Sequence, residues 1–193
     1  STLDRSSAAS DVYKIQDLDR ATTAIFYSIS NTQTGLRGVS FGDSLIKRVV
    51  ESLHEEFPRL KTFATLSPIP GLRSWLAKNA PADLLQAWDA APDLAEKSPP
   101  RVALKQWAAR YLGCELQDGK PLDAVARFHL GNGARVERLN WAADPSAKGF
   151  KQSYGLMVNY LYDLKKLDKN RTALAQGTVS YTHLRAHETS LHL

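Results

Sequence analysis

Apolar positions along the chain fall into two kinds of run, one continuous and one periodic. Thr22-Thr23-Ala24-Ile25-Phe26-Tyr27-Ser28-Ile29-Ser30 is β-branched and aromatic with no strong polar face, which predicts a strand covered on both sides within a buried sheet. Leu45, Ile46, Val49, Val50, Leu53 and Phe57 then recur at helical spacing, with Asp43 or Ser44 placed to cap the helix and Pro58 to close it. The loop between, Asn31 to Gly42, carries Gly35, Gly38 and Gly42. A short second strand, Lys61 to Leu66, follows the helix, so the pattern reads as two neighbouring βα units.

The middle of the chain changes period. Arg73 to Lys78, Asp83 to Ala90 and Arg101 to Leu112 read as helices punctuated by Pro81, Pro92, Pro99 and Pro100. Their Trp75, Trp88 and Trp107 read as packing anchors. Asp123 is a plausible N-cap for a short helix running through His129 and stopped by glycine or asparagine near Gly131 to Gly133. Arg135 to Trp141 alternates like a strand, and Tyr154 to Tyr162 supplies another, so the fold is expected to close with β-structure.

Composition narrows the classes. With 193 residues, 43% hydrophobic and 23% charged, the chain is long enough for one globular domain with a real core. No apolar run reaches membrane-spanning length, and Ser1 to Ser10 lacks the apolar centre of a signal peptide, so a cytoplasmic enzyme is expected. The single cysteine, Cys114, excludes an internal disulfide framework and reads as a buried or semi-buried thiol. A net charge of +5 spread along the chain suits an anionic small molecule better than a nucleic-acid groove.

Four features invite chemistry. In Thr65-Leu66-Ser67-Pro68-Ile69-Pro70-Gly71-Leu72 an apolar run ends in a serine followed by two φ-locked prolines and a permissive glycine. Ser67 is either presented for chemistry or simply ends a strand and helps a turn. The strand, glycine loop and helix at Thr22 to Phe57 place unpaired amides where an anionic phosphate settles, with Arg37, Lys47 and Arg48 as further charge or as a solvated face. His129 is either a site residue or a helix-terminal residue with one backbone hydrogen bond. His183, His187, Glu188 and His192 have zinc-like spacing, but Val179 to Thr189 resembles a translated reading frame of a sequencing-library adapter, and the metal reading is set aside.

Taken together, Phe26 to Ser30 with Gly35-Leu36-Arg37-Gly38-Val39, then Leu66 to Gly71, then Arg127-Phe128-His129-Leu130-x-Asn132-Gly133-Ala134, and Met157-Val158-Asn159-Tyr160, resemble the catalytic domain of the malonyl-CoA decarboxylases. The resemblance spans Thr22 to Asp163. It implies an α/β fold similar to the Gcn5-related N-acetyltransferases, partial, with a mixed sheet flanked by helices and without the early strands. Arg37, Gly38, Val39, Ser40, Phe41, Gly42 and Asp43 would then hold the coenzyme A pyrophosphate, although Gly38 and Gly42 are spaced more widely than in the usual acetyltransferase loop. Ser67 and His129 match the family's active-site serine and histidine, and Tyr160 falls where a family tyrosine lies close to the site.

The same resemblance sets the remaining expectations. Malonyl-CoA is the expected partner, with coenzyme A as part of the substrate and no separate cofactor, metal, nucleic acid or membrane. Residues 1–21 read as a poorly defined segment, 22–178 as a catalytic domain truncated at its N-terminus, and 179–193 as a non-native tail. Homo-oligomers are expected only when the family's N-terminal helical domain is present. Two other readings stay open: an acyl-CoA-dependent N-acyltransferase of the same superfamily, and a non-catalytic basic nucleic-acid module.

Overall fold

The computed structural model describes residues 21–27, 42–90 and 97–177, and for residues 27, 42–45 and 47 the backbone alone. Strand β1 (Thr23–Tyr27) leads to helix α1 (Gly42–Glu56) and strand β2 (Thr62–Pro68). Helices α2 (Leu72–Asn79), α3 (Ala82–Ala90) and α4 (Pro99–Cys114) follow, then a small hairpin of β3 (Leu116–Gln117) and β4 (Lys120–Pro121). The chain continues through α5 (Ala124–Gly131), β5 (Arg135–Asn140), α6 (Ala147–Ser153), β6 (Met157–Tyr162) and α7 (Leu167–Ala175).

The main sheet is mixed, in the order β1-β2-β6-β5. β1 and β2 are parallel with Thr23 opposite Thr62, as a β-helix-β unit requires, while β6 runs antiparallel to both β2 and β5. Val158, Tyr160 and Tyr162 alternate inward along β6. With Phe63, Ile69, Leu72, Leu76, Leu104, Leu112, Val136 and Leu156 they belong to one continuous core.

Side chains explain the helix positions. Trp88 is buried and donates its indole N–H to the Pro100 carbonyl at 2.7 Å, fastening α3 to the start of α4. Trp75 tilts against Trp107 and Tyr111 of α4 at centroid distances of 5.7 and 5.2 Å. Arg73 bonds Asp89 at 2.8 Å and lies over the Phe150 and Tyr154 rings, joining α2, α3 and α6. The three tryptophans are packing anchors.

Several local expectations need correction. Among the described residues β1 is a sheet edge, and its Ile25 is 45% exposed, so the strand is not covered on both sides. Helix α1 already includes Asp43 and Ser44, which therefore lie inside its first turn and not at its cap. Cys114 ends α4 in an exposed position, although Tyr111, Leu112 and Gly113 beside it are buried. The strand expected from Tyr154 begins at Met157, since Tyr154 and Gly155 take left-handed φ of 54° and 78° to end α6. The described chain closes on helix α7, not on β-structure. No helix among the described residues is long and apolar enough to cross a membrane.

Candidate functional site

Helix α5 is eight residues long, too short to hold its place alone, and both of its ends are tied. At its start Asp123 accepts the Val125 and Ala126 amides at 3.0 and 2.9 Å. The same buried carboxylate takes the Gly71 amide and lies 3.4 Å from the Tyr111 hydroxyl, so it joins the loop after Ser67 to the helix that carries His129. Burial raises the Asp123 carboxyl above its usual range, against the pull of those hydrogen bonds. Burial also raises the Tyr111 hydroxyl, with Asp123 adding to it.

At its end, α5 stops through Gly133 in the left-handed region at φ +84°, with Gly133 N–H to Leu130 O and Ala134 N–H to His129 O at 3.0 and 3.1 Å. Only glycine fits there. A Cβ on Gly133 would lie 2.4 Å from the Leu167 carbonyl, and Asn170 of α7 donates to the Gly133 carbonyl at 2.8 Å.

This anchoring aims His129 at the sheet. Its Nε2 lies 3.2 Å from Ser67 Oγ, and its Nδ1 lies 2.6 Å from the Tyr162 hydroxyl. Tyr160 stacks on the imidazole at 4.5 Å and 23°, and Phe128 meets it edge-on at 5.1 Å. Ser67 donates to Thr65 Oγ1 at 2.9 Å. Ser67 is 5% exposed and His129 3%, so the pair sits in a water-poor setting. Burial lowers the His129 pKa to about 4, and the ring is neutral near pH 7.

A buried serine and a neutral histidine in contact, with a tyrosine on the far ring nitrogen, can move a proton and hold an oxygen-centred charge. The structure brings Ser67, His129 and Tyr160 together, although Ser67 lies within β2, opposite Val158, and not beyond its end. Arg37, Gly38, Val39, Ser40 and Phe41 lie outside the described residues, while Gly42 and Asp43 open α1. The tail histidines also lie outside them, and among the described residues no group of three or more metal-ligating side chains is clustered. Sequence reasoning missed Tyr162 and Thr65. The available signal was the spacing of two that puts Tyr162 on the face of Tyr160 and Thr65 on the face of Ser67.

Comparison with known proteins supplies an independent line. The family described as Malonyl-CoA decarboxylase C-terminal domain matches residues 5–188. A rat protein named "Malonyl-CoA decarboxylase, mitochondrial" is 40% identical over an alignment 187 residues long that covers 80% of this chain and 38% of that protein. The crystal structure of malonyl-CoA decarboxylase from Agrobacterium vitis aligns with TM-score 0.78 at 47% identity, covering 88% of this chain and 46% of the other. That from Cupriavidus metallidurans aligns with TM-score 0.74 at 46% identity, covering 86% and 48%. The chain thus spans less than half the length of each of these relatives.

Proposed function

The chain belongs to the malonyl-CoA decarboxylase family, and from that premise we propose that its Ser67–His129 pair converts malonyl-CoA to acetyl-CoA and carbon dioxide. The observation that carries the proposal is the buried contact of these two side chains at 3.2 Å, with Tyr162 on the other ring nitrogen. Breaking the C–C bond sends its electron pair into the thioester as an enolate while carbon dioxide departs. Negative charge then gathers on the thioester oxygen. Each hydrogen-bond donor preorganised toward such an oxygen contributes about 3 kcal/mol in a water-poor site, so the reading calls for no cofactor beyond the coenzyme A of the substrate.

His129 supplies the proton that C2 must gain. In the free protein the ring is neutral because burial opposes its charge. A substrate carboxylate arriving beside it favours the charged form, so a proton taken up with the substrate is held on the ring and then delivered to C2. Ser67 hydrogen-bonds the substrate carboxylate or carbonyl and holds the breaking bond out of the carbonyl plane. It acts without becoming a nucleophile.

The fold supports an acetyltransferase-like reading, because β1, α1 and the parallel strand β2 form the unit in which that superfamily holds a pyrophosphate. On this reading Arg37, Gly38, Val39, Ser40, Phe41, Gly42 and Asp43 cradle the coenzyme A phosphates. The mitochondrial name of the rat relative is that protein's own. The test is product analysis with malonyl-CoA: equal amounts of acetyl-CoA and carbon dioxide are expected. Acyl transfer to an amine with no carbon dioxide would overturn the assignment.

A further inference from the structure

The ladder between β2 and β6 opens next to the site. Ala64 pairs with Leu161 and Ser67 with Val158, in unbroken register, but Thr65 and Leu66 between them have no ladder partners on β6. Side chains take over the missing bonds. Asn159 Nδ2 donates to the Thr65 carbonyl at 2.7 Å, and the Tyr160 amide donates to Thr65 Oγ1 at 3.3 Å. Thr65 is 1% exposed, so its hydroxyl oxygen is fixed by the backbone of the neighbouring strand rather than by water.

That oxygen also accepts the Ser67 hydroxyl at 2.9 Å. Once the Ser67 proton points at Thr65, a Ser67 lone pair faces His129 Nε2 at 3.2 Å. The ring must then carry its proton on Nε2 to complete that contact. Nδ1 is left bare, and it accepts the Tyr162 hydroxyl at 2.6 Å. We propose that Thr65 is a positioning residue, orienting the Ser67 hydroxyl and through it selecting the Nε2–H tautomer of His129 in the free protein.

The consequence is a one-way chain of donors, from Tyr162 to His129 to Ser67 to Thr65. In this state Ser67 has no base to take its proton, so it is not primed as a nucleophile. A substrate oxygen takes the Ser67 hydroxyl from Thr65 by rotation alone, with no proton changing atoms. The inference rests on the reading of Ser67 and His129 as the acting pair, but its test does not require turnover.

The test is nitrogen-15 NMR of the whole chain labelled at histidine, near neutral pH, with the His129 signals among the five histidines identified by their loss in His129→Gln. Wild type should show the proton on Nε2 and a bare, hydrogen-bonded Nδ1. Thr65→Val removes the acceptor at nearly constant shape, and should release the Ser67 hydroxyl toward Nε2 and move the ring to the Nδ1–H form. Thr65→Ser should restore the wild-type pattern. A wild-type ring protonated on Nδ1 overturns the inference, as does a folded Thr65→Val protein with an unchanged tautomer. If Thr65→Val fails to fold, the wild-type spectrum and Thr65→Ser decide. A tautomer as expected without decarboxylation would leave this inference standing and remove the functional reading, and the reverse result would do the opposite.

Discussion

Replacing His129 with glutamine should make the protein more resistant to acid, and the size of the effect follows from where the ring sits. Burial lowers its folded pKa to about 4, from about 6.5 for an exposed ring. Between those values the unfolded chain binds a proton that the folded chain refuses. His129 therefore supports the fold above pH 6.5, and that support is lost as the pH falls toward 4. Two and a half pH units at about 1.4 kcal/mol each correspond to about 3 kcal/mol in full, and to about 2 kcal/mol at pH 5. The assay is urea unfolding of wild type and His129→Gln at about pH 8 and about pH 5, comparing the stability each loses between the two. Asp123, whose raised pKa acts in the opposite direction, titrates in both proteins and cancels in the comparison. Wild type should lose about 2 kcal/mol more than the variant. Equal losses would mean that the ring is readily charged where it sits, and the argument from burial would be wrong.

Two further changes probe the parts around the ring. Tyr162→Phe removes the hydroxyl 2.6 Å from Nδ1 and leaves that nitrogen buried, so kcat for malonyl-CoA should fall at least about tenfold with KM little changed; a fall confined to KM would place Tyr162 in binding instead. Gly71→Ala puts a methyl 2.2 Å from the Tyr111 hydroxyl and should cost about 1–3 kcal/mol in unfolding experiments. Adding Tyr111→Phe removes the clashing oxygen, leaving the nearest ring carbon at 3.4 Å, and the double variant should be more stable than the two single losses added together. Simple additivity would show that the loop after Ser67 is not packed against Tyr111 as described.

Residues that act through local rules were readable from the sequence. Apolar spacing, proline breaks and cap residues located α1 through α5 to within a few residues, and Asp123 was legible as a cap because its side chain only has to reach its own helix. Ser67 and His129 were visible through a motif resemblance, but nothing local says that residues 62 positions apart touch. What stayed hidden depends on tertiary choices. Tyr160 and Tyr162 share one face of β6, and which of them stacks on the ring and which reaches Nδ1 is set by the register of β6 against α5. Thr65 looked like an ordinary strand residue because the opening of the ladder beside it leaves no trace in the hydrophobic pattern. The β3–β4 hairpin did carry a signal, Asp118-Gly119, both with positive φ, but its strands are too short to show alternation. Helices α6 and α7 were missed for a related reason: each is short and anchored by single contacts, such as Ser146 capping Gly149 and Asn170 reaching Gly133, rather than by a long apolar stripe.

In the proposed mechanism His129 protonates C2, so the decisive measurement is steady-state turnover of malonyl-CoA by wild type and His129→Ala, with acetyl-CoA and carbon dioxide both quantified and malonyl-CoA binding measured separately. Loss of the general acid should lower kcat by roughly a hundredfold or more while binding stays within a few-fold of wild type. A His129→Ala protein that releases carbon dioxide at the wild-type rate would remove His129 from the mechanism.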